Sequence, residues 1–181
     1  FNDTPGLNVN DQWHTKFLDL DNDEFVNSQT SIADFDLDGY LDVLMTGTSN
    51  SGKATVFYWN VQKNQADVYR PANNWKYGAG RLNLADLDGD GQMNVAFVSG
   101  NYLYALDENL DLLWRRGIDE QSSGYTSTTV FDFNNDGASE IVYRDETYLY
   151  IVKGDGTFSP GIPCKSLTSN DYPIVADVDA D

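Results

Sequence analysis

Oxygen donors crowd three short stretches of this chain. Asp34 to Asp42 reads DFDLDGYLD and packs four carboxylates, Asp34, Asp36, Asp38 and Asp42, around Gly39. Asp86 to Asn94 (DLDGDGQMN) and Asp132 to Glu140 (DFNNDGASE) repeat the arrangement, giving the shared pattern D-x-[DN]-x-D-G-x-x-[DNE]. Like charges at this density repel one another, so a folded chain that keeps them is expected to hold a cation among them. Oxygens at positions 1, 3, 5 and 9 converge when such a loop curls, and the carbonyl of position 7 joins them. That set suits Ca²⁺, which accepts six to eight hard oxygen ligands in flexible geometry, better than Mg²⁺, which demands a stricter octahedron. Glycine at position 6 permits the sharp turn that brings the late ligands round.

The expected ligands follow position by position. Loop one offers Asp34, Asp36, Asp38, Asp42 and the Tyr40 carbonyl. Loop two offers Asp86, Asp88, Asp90, Asn94 and the Gln92 carbonyl, and loop three Asp132, Asn134, Asp136, Glu140 and the Ala138 carbonyl. A fourth copy opens near the end with Asp177, Asp179 and Asp181, without the glycine and the last ligand. Three sites, and a fourth if the chain continues, are therefore expected. On carboxylate count, loop one should bind most tightly. An EF-hand is excluded because its twelfth position needs a bidentate Glu, where this chain has Met45, Phe97 and Tyr143. Its flanking helices are also missing from the pattern, and dockerin-like pairs fail on spacing and on flanks.

What must position these loops is a set of strands. First aspartates fall at 34, 86, 132 and 177, in steps of 52, 46 and 45 residues. A short β-type run enters each loop (SIAD, LNLAD, TTVFD, PIVAD), and a second leaves it (DVLMTG, NVAFVSG, EIVYRD). A hairpin-like pair follows: ATVFYWN with ADVYRP, NYLYALD with LDLLWRR, and TYLYIVK with a weaker partner near Thr157 and Phe158. No segment shows a sustained helical period. Four antiparallel strands repeated every 45 to 50 residues predict an all-β fold, a β-propeller of four-stranded blades. Propellers need about four to eight blades, so the chain is expected to hold three to four blades of a larger one. Residues 28–181 would be blades, and residues 1–27, with Asp19, Asp21 and Asp23, the end of a preceding blade or a linker.

Composition narrows the partners. With 29 Asp plus Glu against 11 Lys plus Arg, the formal charge is −18, which repels phosphate backbones and anionic lipid heads. Nucleic acid and membrane insertion are not expected, and no apolar run approaches the roughly 18 residues of a transmembrane helix. The 40% hydrophobic content allows a real core.

The D-x-D-x-D-G-x-x-D loops between paired strands resemble FG-GAP or VCBS-type repeats, the calcium-loop blades of integrin α-chain propellers and many bacterial surface proteins. The resemblance covers roughly residues 28 to 181. More narrowly, TTVFDFNNDGASEIVYRDETYLYIV and DYPIVADVDAD are similar to large secreted proteins of gliding Bacteroidetes that use type 9 secretion. The resemblance implies an extracellular, secreted or cell-surface module that is stabilised by calcium and serves adhesion or assembly. Its partners would be a protein or glycan ligand at the cell surface and the neighbouring domains or blades.

Other signals carry less. Gly47 to Ala54, GTSNSGKA, nearly matches a phosphate-binding P-loop, but Ala54 lacks the hydroxyl and a β-like run follows where a helix is required. His14 is the only histidine, so no Ser-His-Asp or Cys-His arrangement can be assembled. Spacing of the carboxylates is explained by metal ligation rather than glycoside hydrolysis, and no enzyme is expected. The alternative is a carbohydrate-binding or polysaccharide-degrading, lyase-like propeller, with Trp59, Trp75 and Trp114 as a stacking platform instead of packing between blades. Cys164, the only cysteine, is read as a buried or idle thiol, or one that pairs outside this window. Asn2-Asp3-Thr4 matches a glycosylation sequon, meaningless in a bacterial source.

Overall fold

Twelve strands in three four-stranded antiparallel sheets make up a computed structural model that describes residues 26–48, 54–71, 79–120, 126–165 and 172–178. The chain is all-β, and each sheet is a blade of a β-propeller in which sequential strands are neighbours. Blade one holds β1 (Val26–Ala33), β2 (Asp42–Thr48), β3 (Ala54–Asn60) and β4 (Gln65–Tyr69). Blade two holds β5 (Asn83–Ala85), β6 (Asn94–Ser99), β7 (Tyr102–Leu106) and β8 (Leu112–Gly117). Blade three holds β9 (Thr129–Phe131), β10 (Glu140–Arg144), β11 (Tyr148–Val152) and β12 (Ile162–Pro163).

Aromatic and β-branched residues form these strands because a pleated, half-buried surface packs them well. Burial then separates the middle blade from its neighbours. All six residues of β6, NVAFVS, are buried, because both faces of blade two are covered. Val95 and Phe97, with Tyr104 and Leu106 of β7, pack against Phe35, Leu44 and Val56 of blade one. The alternate residues Ala96, Val98, Leu103 and Ala105 pack with Trp114 against Ile141, Tyr143 and Val152 of blade three. Side chains alternate across a strand, so one run of sequence feeds two cores. Each fully buried Val, Leu, Ile or Phe among these contributes roughly 1.5–3 kcal/mol.

Polar bonds stitch the blades as well. Thr46 Oγ1 donates to the Gly80 carbonyl at 2.7 Å and Ser31 Oγ to that of Leu82 at 3.2 Å, from blade one to blade two. Between blades two and three, Asn83 Nδ2 donates to the Thr128 carbonyl at 2.7 Å, and the Trp114 indole to that of Gly154 at 2.5 Å. Gly154 admits no side chain, because a Cβ there would stand 1.7 Å from the Leu87 carbonyl oxygen.

The weak partner expected for β11 near Thr157 and Phe158 is present: Lys153 N donates to the Thr157 carbonyl, Ser159 N to that of Ile151, and Phe158 bridges Val152. The assigned fourth strand lies further on, at Ile162–Pro163, opposite Tyr148 and Leu149. Cys164 is exposed, which removes the buried option and leaves an idle thiol or one that pairs outside this window. The P-loop-like segment leads into strand β3 at Ala54, so a strand stands where the phosphate helix would be. His14, Trp75 and the acidic residues of 1–27 lie outside the described residues.

Candidate metal centres

Each acidic loop closes the hairpin between the first two strands of its blade. Ala33 pairs with Asp42, Ala85 with Asn94 and Phe131 with Glu140, so position 9 is the first residue of the second strand. That register folds the position 9 side chain back over the loop, where it accepts a hydrogen bond from the backbone N–H of position 2. The bonds are Phe35 N to Asp42 Oδ2 at 3.1 Å, Leu87 N to Asn94 Oδ1 at 2.7 Å and Phe133 N to Glu140 Oε2 at 3.0 Å.

Two more bonds recur in every loop. The glycine N–H at position 6 donates to the position 1 carboxylate: Gly39 to Asp34, Gly91 to Asp86 and Gly137 to Asp132, at 2.8–2.9 Å. The N–H of position 7 donates to position 5: Tyr40 to Asp38, Gln92 to Asp90 and Ala138 to Asp136, at 2.8–3.0 Å. The position 6 glycines have φ of 84–94°, as their place in the motif requires. Position 4 is left-handed too, with Leu37 at 55°, Gly89 at 79° and Asn135 at 56°. For a bulky side chain such as Leu37 this region is strained.

What remains after these shared bonds differs between loops. In loop one, Asp34 Oδ1, Asp36 Oδ1 and Asp42 Oδ1 are all buried with no hydrogen-bond partner. One carboxylate oxygen from each of these three residues lies within 4.8 Å of the others. Asp42 is 0% exposed, and burial raises its pKa above the ordinary carboxylate value, with the Asp36 charge adding to the rise. The outer oxygen Asp36 Oδ2 accepts from Asn60 Nδ2 at 2.8 Å and from Lys63 Nζ at 2.5 Å; Asp38 Oδ2 lies 3.5 Å from the same ammonium. Buried carboxylate oxygens without donors are costly, and a divalent cation is the partner that would satisfy all three at once. Loop one fits Ca²⁺.

Loop two brings Asp86, Asp88 and Asp90 within the same 4.8 Å, in a more exposed setting. Partial desolvation, then the Asp90 and Asp86 charges, raises the Asp88 pKa. The amide orientation of Asn94 is fixed by the Leu87 N–H, which leaves its Nδ2 buried and unpartnered. Loop three is closed on itself. Asp132 accepts from Asp136 N and Gly137 N, and Asn134 Nδ2 donates to Glu140 Oε1 at 3.1 Å. Loop three also touches loop two, with Ser139 N donating to the Asp86 carbonyl at 2.8 Å. The carbonyl-bearing residues Tyr40, Gln92 and Ala138 follow the left-handed glycine in each loop. In the fourth copy Asp177 is exposed and no strand is assigned over 172–178, while Asp179 and Asp181 lie outside the described residues.

Reasoning from sequence missed three contributors. The double duty of position 9 is legible only once the strand register is known. Asn60 and Lys63 come from the far end of the blade's second hairpin, with no motif to mark them. The left-handed position 4 had a faint signal in Gly89 and Asn135, residues that favour that region.

Residues 34–97, spanning loops one and two, match the family model described as FG-GAP-like repeat. The match supports the repeat type and reaches just over a third of the chain. No curated protein matches the chain. Among solved structures, it is similar to the crystal structure of the V. cholerae biofilm matrix protein Bap1, at 16% identity and a TM-score of 0.45. That alignment covers 90% of this chain and 31% of Bap1, so the chain spans under a third of that protein's length. None of these likenesses bears on the gliding Bacteroidetes. No helix among the described residues is long and apolar enough to cross a membrane.

Proposed function

We propose that this chain is part of an extracellular, secreted or cell-surface β-propeller that serves as an adhesion or assembly scaffold, with Ca²⁺ in a structural role. The observation that carries the calcium reading is the trio of buried, partnerless oxygens on Asp34, Asp36 and Asp42. Asp86, Asp88 and Asp90 form the second candidate cage. In loop three the ligands would be Asp132 and Asp136, with Asn134 and Glu140 released from each other. The chemistry calcium supplies is charge neutralisation; the chain's own residues orient the carboxylates through the three recurring N–H bonds. Extracellular placement and adhesion come from the FG-GAP-like repeat type, and the acidic surface favours divalent cations over phosphate. Partners would be a protein or glycan at the cell surface. No catalysis is proposed.

Thermal melting tests the reading. EDTA is expected to lower the melting temperature, and Ca²⁺ to restore it more effectively than Mg²⁺. A melt that neither chelator nor calcium moves, on protein shown to be metal-free, would sink it.

A carbohydrate-binding reading has one observation in its favour. A groove of about 580 Å³ between blades two and three combines Tyr102, Tyr150 and Phe158 with Asp119 and Asp145. It is the weaker reading, because Asp145 already accepts from Thr147 N and Tyr148 N. Ligand-dependent shifts in a glycan screen, lost in Tyr102→Ala, would raise it above the scaffold reading.

A further inference from the structure

Loop one holds its carboxylates in two layers. Asp34, Asp36 and Asp42 each keep a buried oxygen without a donor, and one carboxylate oxygen of each lies within 4.8 Å of the others, whereas the outer oxygens of Asp36 and Asp38 lie against a lysine. Lys63 sits in the turn between β3 and β4, and its side chain is half exposed. Asn60, at the end of β3 and 3% exposed, holds the same Asp36 oxygen at 2.8 Å, and its own Oδ1 accepts from Lys63 N at 2.7 Å. Turn and loop are thus tied together at Asp36.

Blades two and three have no counterpart. The equivalent turn in blade two, Asp107 to Asp111, carries acids and no cation. Lys153 in blade three lies beside Asp155 and lines the groove toward Asp88. Among the described residues, no ion pair joins a lysine or arginine to loop two or loop three.

The geometry points to Lys63 as a tethered counter-ion of loop one, which holds the acidic loop closed when metal is absent and weakens its affinity for a divalent cation. This rests on the calcium reading above. A fixed positive charge beside the cage attracts the metal-free carboxylates and repels an arriving dication, so removing it moves the two states in opposite directions. Carboxylate count alone then overstates loop one, which loses less on metal removal than its buried carboxylates by themselves would and binds calcium less tightly than its four aspartates suggest. By contrast, a lysine that merely positions Asp36 and Asp38 for the metal would raise affinity.

The test compares the full chain with Lys63→Met, a change at an exposed side chain that leaves the fold intact, and with Asp34→Asn to identify the loop-one site. Calcium alone is titrated into metal-stripped protein by calorimetry, and melting is followed in EDTA. Lys63→Met is expected to tighten the site that Asp34→Asn removes by about tenfold at low salt, and by less at high salt. It is also expected to lower the EDTA melting temperature. Unchanged or weakened loop-one affinity in Lys63→Met overturns the counter-ion assignment while leaving the calcium reading intact. Absence of calcium heat in both proteins, at every loop, removes the calcium reading and this inference with it.

Discussion

Loops one and three share a backbone and differ in what they leave unsatisfied. Both close on bonds from position 2 to 9, 6 to 1 and 7 to 5. Loop three then spends its remaining groups internally, with Asn134 bonded to Glu140, and stays exposed over Asn134 to Gly137. Loop one lies deeper and keeps three buried oxygens without donors. The same nine-residue motif thus supports a self-sufficient turn in one blade and, in another, a turn that keeps three donorless oxygens. Carboxylates in such a motif are first of all caps for the loop's own N–H groups, and only the oxygens left over are available to metal.

Truncating position 9 should break the comparison most strongly. Asp42→Ala strands the N–H of Phe35, which is 0% exposed, and is expected to cost about 2–3 kcal/mol, since bonds to charged groups contribute about that much. Glu140→Ala exposes the N–H of Phe133, 47% exposed, to water, so its cost should be about 1 kcal/mol. Denaturant titrations of both variants in EDTA measure the gap, and equal costs would erase the distinction between the loops.

Isosteric changes sharpen it. Asp42→Asn keeps the cap and removes the partnerless oxygen, so metal-free stability should hold or rise. The calcium increment at loop one should vanish, a loss of about 2.7 kcal/mol at a hundredfold excess over Kd. Glu140→Gln is expected to change the calcium increment far less.

Acidification offers a gentler probe. Burial raises the Asp42 pKa in the fold above 3.8, its unfolded value. Such a group penalises the folded state above its folded pKa, and the penalty fades as pH falls toward the unfolded value. For Asp42, metal-free protein should therefore be relieved on acidification, whereas the calcium-loaded protein loses ligands to protons. The melting-temperature gap between calcium and EDTA should narrow as pH drops from neutral, and Asp42→Asn should flatten that trend.

The smallest effect is at position 4. Leu37→Asn should gain about 0.5–1 kcal/mol by relieving left-handed strain, and Asn135→Leu should lose as much. Chemical denaturation of the two variants reads both signs.

Much of the architecture was legible because the motif sits between strands that alternate or run apolar. VLMTG, NVAFVSG and EIVYR each became the second strand of a blade, and the repeat step placed the blades. Less was legible where contact is distant in sequence. Lys63 reaches Asp36 across 27 residues, and Gly154 meets Leu87 across the blade boundary, and neither leaves a local pattern. Counting carboxylates ranked the loops by charge, but burial, capping and a neighbouring ammonium decide which oxygens face a cation. In blade three the partner of β11 was legible near Thr157 and Phe158, but its continuation at Ile162–Pro163 was not, because two residues show no alternation.

The most direct test of the central claim, that loop one is built around a divalent cation, is equilibrium dialysis of metal-stripped protein against ⁴⁵Ca²⁺, alongside Asp42→Asn. The account predicts saturable calcium uptake by the parent chain and one fewer bound calcium in Asp42→Asn, with the fold retained. No saturable uptake by the parent, or equal uptake by both proteins, would contradict it.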